Sequence, residues 1–375
     1  MPTTSDIVLT DEQNSAQDRI VDWVLNQPDK QEFELGGYAG TGKTTLMKFL
    51  RARLTEEDVS TQVAAFTGKA CNVLQRKGIH ASTLHSIMYV PHTDPKTHEM
   101  TFELRPPETL ECDLMIVDEA SMVSTELYKD LKTFGVKILW VGDPGQLEPV
   151  GDNPHLMVKP DFTLSTIHRQ ALESPIITLA TDIRTGGIID RAKHPRPGEL
   201  DIRSKTGMKA DMLLMHDQII CAKNKTREYL NNLMRQAHGY SDQPNRIMVG
   251  EKLICLHNNL KLGVFNGMIF FVDAITEEDG NDWYVTMHTE DGQTYQNFPL
   301  WKRPFLEELP KQNVYIPKAA CWCTYAYAVT CHKSQGSEWD KVMVFDEWMP
   351  PTVWDMKRWR YTAVTRAAKY LTFCL

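Results

Sequence analysis

Residues 37–45 read GYAGTGKTT, which sets glycines, a lysine and two threonines at the spacing G-x-x-x-x-G-K-T. Backbone N–H groups in such a turn point inward and cradle phosphate oxygens. Gly40 and Gly42 permit backbone angles and a close approach that side chains resist. Lys43 reaches the terminal phosphates, and the Thr44 hydroxyl is a ligand for Mg²⁺. A short stretch with apolar Phe33 and Leu35 precedes the turn, and a helical stretch follows from Lys43. That strand–turn–helix setting is what the chemistry requires. These residues point to nucleotide binding and leave open what the nucleotide is used for.

In a second string, IVDEAS at 116–121, an acidic pair follows four apolar residues at 114–117. An acidic pair at a strand end has a direct use beside a phosphate loop. Asp118 would hold Mg²⁺, and Glu119 would orient and deprotonate an attacking water. A solvated acidic loop is the plain alternative, and the apolar run before it favours a buried strand. In WVGDPGQLEPV at 140–150, Gln146 is placed to sense the γ-phosphate or the water; a simple proline–glycine turn accounts for the string equally well. Phosphoryl transfer also profits from a cation that neutralises charge on the γ-phosphate. Arg169 in STIHRQ and Arg366 in YTAVTRAAK are candidates that spacing alone does not single out.

These groups need elements to position them. Residues 17–25 have helical apolar spacing, and Leu46, Leu50 and Leu54 continue one helix face. Apolar runs at 63–66, 114–117 and 138–141 each end in a polar or glycine-bearing loop: TGKA, DEAS and GDPGQ. Buried strands alternating with helices indicate a parallel α/β sheet, whose ligands sit at the strand C-terminal ends. Residues 88–110 break the pattern with prolines and short β-like pieces, as a hairpin insertion would. A second α/β series is expected to begin at Phe162, through 162–165, 176–183 and 218–221, closing with strands at 339–345 and 370–375. Between them, 236–317 alternates β-branched and aromatic residues between glycines, which fits a small β-barrel inserted into the second α/β domain. The expected domains are 1–158, then 159–235 with 318–375, and the insertion 236–317. The tryptophans Trp301, Trp322, Trp348, Trp354 and Trp359 are expected in packing rather than base stacking.

The chain has 375 residues, 42% of them hydrophobic and 24% charged, an ordinary balance for a globular protein of two or three domains. Its net charge of −8 argues against coating nucleic acid by bulk charge, though not against a local basic groove. No apolar stretch approaches membrane-spanning length, and the polar, acidic start is unlike a secretory signal. The expectation is a cytoplasmic protein with reduced thiols. Cys321 and Cys323 lie close together, with Cys331 nearby. They lack a second pair at metal-ligand spacing, so buried structural thiols are expected.

The ordered set GYAGTGKTT, AAFTGKA, STLHSI, IVDEAS, VGDPGQLEPV, IHRQ, VTCHKSQGSEWDKV and YTAVTRAAK resembles the superfamily 1 helicases, most of all the RecD/Dda-like branch. The LTDEQ start, residues 9–13, is similar to that branch's adenine-reading glutamine motif. The resemblance implies two RecA-like parallel-sheet domains, with ATP and Mg²⁺ as cofactors. It implies that Gln13 reads adenine and that Gly37, Ala39, Gly40, Thr41, Gly42, Lys43, Thr44 and Thr45 surround the phosphates, with Gly336 and Glu338 near the γ-phosphate and ribose. Gln146 would couple the γ-phosphate to motion, and Arg169 and Arg366 would act as arginine fingers. Thr67, Lys69, Thr83, His85, Thr330, His332 and Lys333 fall in strand-contacting motifs; His85 and His332 would otherwise read as structural histidines. The hairpin resembles a duplex-splitting pin in which Phe102 would stack on the last base pair or simply pack. The inserted barrel resembles an SH3-like module. The implied activity is that of an ATP-dependent DNA helicase moving 5′ to 3′ on single-stranded DNA. A single-stranded-DNA-stimulated ATPase that remodels protein–DNA complexes, or a phosphate-loop switch, are the alternatives. Implied partners are single-stranded and forked duplex DNA, with single-strand-binding or replication and recombination proteins. A monomer is expected.

Overall fold

The computed structural model describes residues 8–93, 100–148, 154–168, 171, 173–190, 198–206, 208–240, 242–243, 245–290, 292–307, 317, 319–350 and 355–375. The chain divides into two compact units. One comprises Met1–Ile189, Gln335–Ser337 and Pro350–Thr365; the other comprises Asp190–Ser334, Glu338–Met349 and Arg366–Leu375. No helix among the described residues is long and apolar enough to cross a membrane.

The first unit is built on a six-stranded sheet of β1 (Glu32–Gly37), β2 (Thr61–Ala65), β3 (Ser82–Thr83), β6 (Leu114–Asp118), β7 (Lys137–Gly142) and β8 (Phe162–Leu164). The order is β3-β2-β6-β7-β1-β8 and every pairing is parallel. Its central strands are runs of apolar residues because helices cover both faces of a parallel sheet; Leu114, Met115, Ile116 and Val117 are all fully buried. Helix α1 (Asp11–Asn26) starts at a capping box, in which Thr10 Oγ1 accepts from Gln13 N and Gln13 Oε1 accepts from Thr10 N. Helix α2 (Lys43–Glu56) buries Leu46, Leu50 and Leu54, the face its spacing predicted, in one core with Leu35 and Trp23.

Residues 162–165 were expected to open the second series. Instead β8 pairs with β1 through Leu35↔Phe162 and Gly37↔Leu164, and Leu164 joins the first core. The following run is a helix, Pro175–Thr185, that packs against the helix Met356–Val364 in the same unit. A three-residue strand carries no signal for which sheet it will join; only its partner's register decides. Antiparallel strands β4 (Tyr89–Thr93) and β5 (Met100–Leu104) form a hairpin with Pro91 opposite Phe102. Residues 94–99 between them lie outside the described residues.

The second unit holds a five-stranded parallel sheet of β9 (Leu200–Arg203), β10 (Gln218–Cys221), β16 (Ala328–Thr330), β17 (Trp339–Phe345) and β18 (Ala367–Cys374), in the order β16-β10-β17-β18-β9. Beside it lies an antiparallel sheet of β11 (Lys252–Cys255), β12 (Ile269–Glu278), β13 (Asp282–Thr289), β14 (Thr294–Trp301) and β15 (Cys323–Tyr325), ordered β14-β13-β12-β11-β15. It takes β15 from beyond residue 317, the expected end of the insertion. Buried polar contacts join the two sheets: Lys252 Nζ donates to Asp217 O at 2.7 Å and to Gln218 Oε1 at 2.8 Å. The buried ion pair Arg235–Glu251 sits against the Tyr325 ring. Removing either partner would strand a buried charge, typically a loss of about 3–5 kcal/mol.

Candidate functional site

Because all six strands of the first sheet run parallel, the loops after β1, β2, β3, β6 and β7 emerge at one edge. The loop after β1 turns through Gly40 and Gly42, at φ +80° and +77°, angles that side chains rarely adopt. A Cβ on Gly42 would also lie 2.4 Å from His168 Nε2 and 2.6 Å from Gln13 Nε2. Gly42 ends the loop as the N-cap of α2, and no side chain caps it. The first N–H groups of α2 therefore remain for an anion, with the helix dipole behind them. A cleft of ≈ 360 Å³ opens there, lined by Gly40, Gly42, Thr44 and Thr45 and by three lysines, Lys43, Lys48 and Lys77.

Several contacts hold this loop in shape. Lys43 Nζ donates to the Gly37 carbonyl, and Thr41 Oγ1 donates to Tyr38 O at 2.8 Å. Gln13 is buried, and its Nε2 donates to Thr41 O at 3.1 Å and meets His168 Nε2 at 2.9 Å. The amide expected to face adenine thus braces the loop backbone. Ala39 N donates to the Tyr361 hydroxyl at 2.7 Å, which in turn donates to Asp143 Oδ2 at 2.7 Å. Leu147 N donates to Thr362 Oγ1 at 2.9 Å, and Gln335 Nε2 donates to Leu147 O at 2.7 Å.

Asp118 ends β6, two strands from β1. Burial and the neighbouring Glu119 charge raise its carboxyl to about 6, against the pull of Lys43 and Lys77. Glu119 itself adopts φ +54°, a strained angle for a side-chain-bearing residue of the kind that collects at functional sites. Gln146, after β7, is buried with Oε1 lacking any hydrogen-bond partner among the described residues. Such an acceptor calls for a donor, and a water meets that need. Asp118 and Thr44 offer carboxylate and hydroxyl oxygens, the hard donor type that suits Mg²⁺.

The strand-contact candidates divide between the units. In the first, Thr67 and Thr83 cap short helices, accepting from Ala70 N at 3.1 Å and Ser86 N at 3.3 Å. Lys69 is half-buried one turn along. Gly336, at φ +67°, lies against Thr67; its Cβ would meet Thr67 Oγ1 at 3.2 Å. His85 lies between the rings of Phe66 (6.3 Å) and Tyr89 (5.8 Å), and burial lowers its pKa. Phe102, 46% exposed, stands edge-on to Tyr89 at 6.2 Å. Tyr89 anchors this hairpin base by donating to Asp130. In the second unit are Thr330, His332, Lys333, the exposed Glu338 and the buried Arg366. Lys333 Nζ donates to Asn266 Oδ1 at 2.7 Å, and burial lowers the His332 pKa. Arg169 lies outside the described residues, though His168 N donates to Gly40 O at 3.1 Å just before it.

Sequence reasoning missed Lys48, Lys77, His168, Asp143, Tyr361 and Thr362. Lys48 had a usable signal, being one helical turn beyond Thr44. Tyr361 and Thr362 stood in the same string as Arg366. His168 stood beside Arg169 in STIHRQ, and Lys77 had no signal.

Two family models match separate stretches of the chain. An AAA-domain family model matches residues 12–196, and a UvrD-like helicase C-terminal domain model matches residues 325–374. The ATP-dependent DNA helicase dda of Enterobacteria phage T4 is 29% identical over 252 residues, covering 60% of this chain and 56% of that protein. The ATP-dependent RecD2 DNA helicase of Deinococcus radiodurans is 26% identical over 369 residues, covering 89% of this chain and 45% of that protein. The chain thus spans about half the length of these curated relatives. The crystal structure of Bacteroides Pif1 bound to ssDNA shares the fold, with a TM-score of 0.57 at 20% identity over 99% of this chain and 93% of that one. With a phosphate loop, an acidic strand end and both halves of a helicase core in order, the chain belongs to the superfamily 1 helicases, in their RecD/Dda-like branch.

Proposed function

We propose that this protein is an ATP-dependent DNA helicase that translocates 5′ to 3′ on single-stranded DNA and unwinds duplex. The observation that carries this reading is the lysine-lined cleft at the uncapped start of α2, on the same sheet edge as Asp118, Glu119 and Gln146. The α2 N-terminus and Lys43 bind the terminal phosphates, with Lys48 and Lys77 adding positive field. Thr44 and Asp118 hold Mg²⁺, which when bound neutralises charge on the β- and γ-phosphates. Glu119 takes the proton of the attacking water, and Gln146 Oε1 orients that water. Arg169 and Arg366 supply cations to the transferred phosphoryl group.

On the DNA side, Thr67, Lys69, Thr83 and His85 from one unit, and Thr330, His332 and Lys333 from the other, contact the tracked strand. The β4–β5 hairpin acts as the pin, with Phe102 as its wedge, and the antiparallel sheet is the SH3-like module. Support for the DNA reading comes from the relatives named as DNA helicases. Forked duplex is the natural substrate, and proteins of replication, recombination or repair are the partners.

Unwinding of two partial duplexes, one with a 5′ and one with a 3′ single-stranded tail, tests this directly. Opening of the 5′-tailed duplex alone is expected. Opening of the 3′-tailed duplex alone reverses the polarity. DNA-stimulated hydrolysis with neither duplex opened would favour a remodelling ATPase instead.

A further inference from the structure

Three cysteines that the phosphate site does not use converge in the antiparallel sheet. Cys321 and Cys323 are two residues apart on an extended segment, so their side chains share a face. Cys255, at the end of β11, stands opposite Cys323 in the β11–β15 register. The fold thus adds a third sulfur from 66 residues away. The Sγ atoms lie 3.7 Å apart for Cys255–Cys321 and 3.4 Å apart for Cys321–Cys323, and all three lie within 4.8 Å of one another. All three residues are fully buried free thiols.

We propose that Cys255, Cys321 and Cys323 form a three-thiolate site for a soft, thiophilic metal ion of the zinc or copper(I) class. A metal–sulfur bond of about 2.3 Å in tetrahedral geometry sets neighbouring sulfurs about 3.8 Å apart, close to the spacing found here. Thiolates select Zn²⁺ and Cu⁺ over Mg²⁺ and Ca²⁺, so the site does not compete for the ion at Asp118. Among the described residues no fourth His, Cys, Asp or Glu atom joins the cluster, which leaves any further coordination position to a small external ligand. The site ties the outer strand β15 to β11 near its turn toward His257.

The test uses the full chain, purified under a phosphine reductant without chelator, and measures bound metal by mass spectrometry. About one zinc or one copper per chain is expected, the element distinguishing the two ions. Chelator-stripped protein should then take up one Co²⁺ with a thiolate-to-cobalt charge-transfer band, displaced by added Zn²⁺. Cys255→Ser should lose both signals, and Cys112→Ser, in the other unit, should keep them. Because Cys255→Ser alters a core position, the unaltered chain is decisive. Absence of metal together with absence of the cobalt band overturns the proposal and leaves the thiols as core packing. A cobalt band that persists in Cys255→Ser, or a mass two daltons low that reveals a disulfide, overturns it as well.

Discussion

Each unit contains a strand that turns into a helix, and the two turns treat the same electrostatic problem in opposite ways. In the first, β1 runs through a glycine loop into α2, whose N-terminus has no side-chain cap and opens on a cleft lined by Lys43, Lys48 and Lys77. In the second, β10 runs into the helix Asn224–Ala237, and the chain supplies its own anion there. The buried Glu347 carboxylate accepts from Ala222 N at 2.9 Å, Lys223 N at 3.0 Å and Thr226 Oγ1 at 2.5 Å. A helix start attracts negative charge in either case. Where an internal carboxylate already occupies the turn just before the helix, an outside anion is shut out; where glycines leave the turn open, phosphate can enter. On the proposed function, this difference accounts for nucleotide entering at one of two similar βα turns and not at the other.

The largest effects should follow from breaking the open turn. Lys43→Ala and Glu119→Gln should each lower ATP turnover by about 10²–10⁴-fold, the scale of losing a charge stabiliser or a general base. Glu119→Gln should still bind ATP, measured with a fluorescent analogue, whereas Lys43→Ala should not. Retained turnover in either variant would remove the residue from the assigned site. Glu347→Ala tests the closed turn. It should cost about 1.5–3 kcal/mol in denaturant stability, the scale of hydrogen bonds to a charged group, with nucleotide affinity unchanged. Loss of nucleotide binding there would mean that the two turns do not differ as described.

Much of the open turn was legible in the sequence, because phosphate binding needs contiguous residues at a fixed spacing. Asp118 and Glu119 were legible because four buried apolar residues precede them. Tyr361 was not, since it reaches Ala39 across 322 positions of chain. His168 and Lys77 likewise reach the loop only through packing. The strand Phe162–Leu164 was visible as an apolar run, yet nothing local says that it pairs with β1. The thiol cluster was half visible: Cys321 and Cys323 stand together in sequence, and Cys255 joins them only through the β11–β15 register.

Smaller effects sharpen the comparison. Tyr361→Phe removes the hydroxyl that bridges Ala39 N and Asp143. It should raise the ATP KM by about tenfold, equivalent to roughly 1–1.5 kcal/mol of lost loop ordering, with a smaller change in kcat. An unchanged KM would show that the loop holds its shape without that brace. Smallest is a pH effect in the second unit. Burial lowers the His216 pKa below its ordinary 6.5, while Met212 O and Thr372 Oγ1 hold its ring nitrogens. A depressed histidine pKa favours the neutral folded form. That stability is present above the unfolded pKa, about 6.5, and is lost as pH falls from there through the depressed folded pKa. Denaturation midpoints should therefore drop between pH 7.5 and pH 5.5, and less so in His216→Asn. Equal slopes in both proteins would exclude His216 as the cause.

The central claim is that nucleotide held at the open turn drives motion along a DNA strand. Steady-state ATP hydrolysis by the full chain, with and without single-stranded DNA, tests it most directly. Hydrolysis should rise by at least about tenfold when DNA is added, and Lys43→Ala should abolish both rates. Equal rates with and without DNA would contradict the claim, leaving a nucleotide-binding fold with no strand to move.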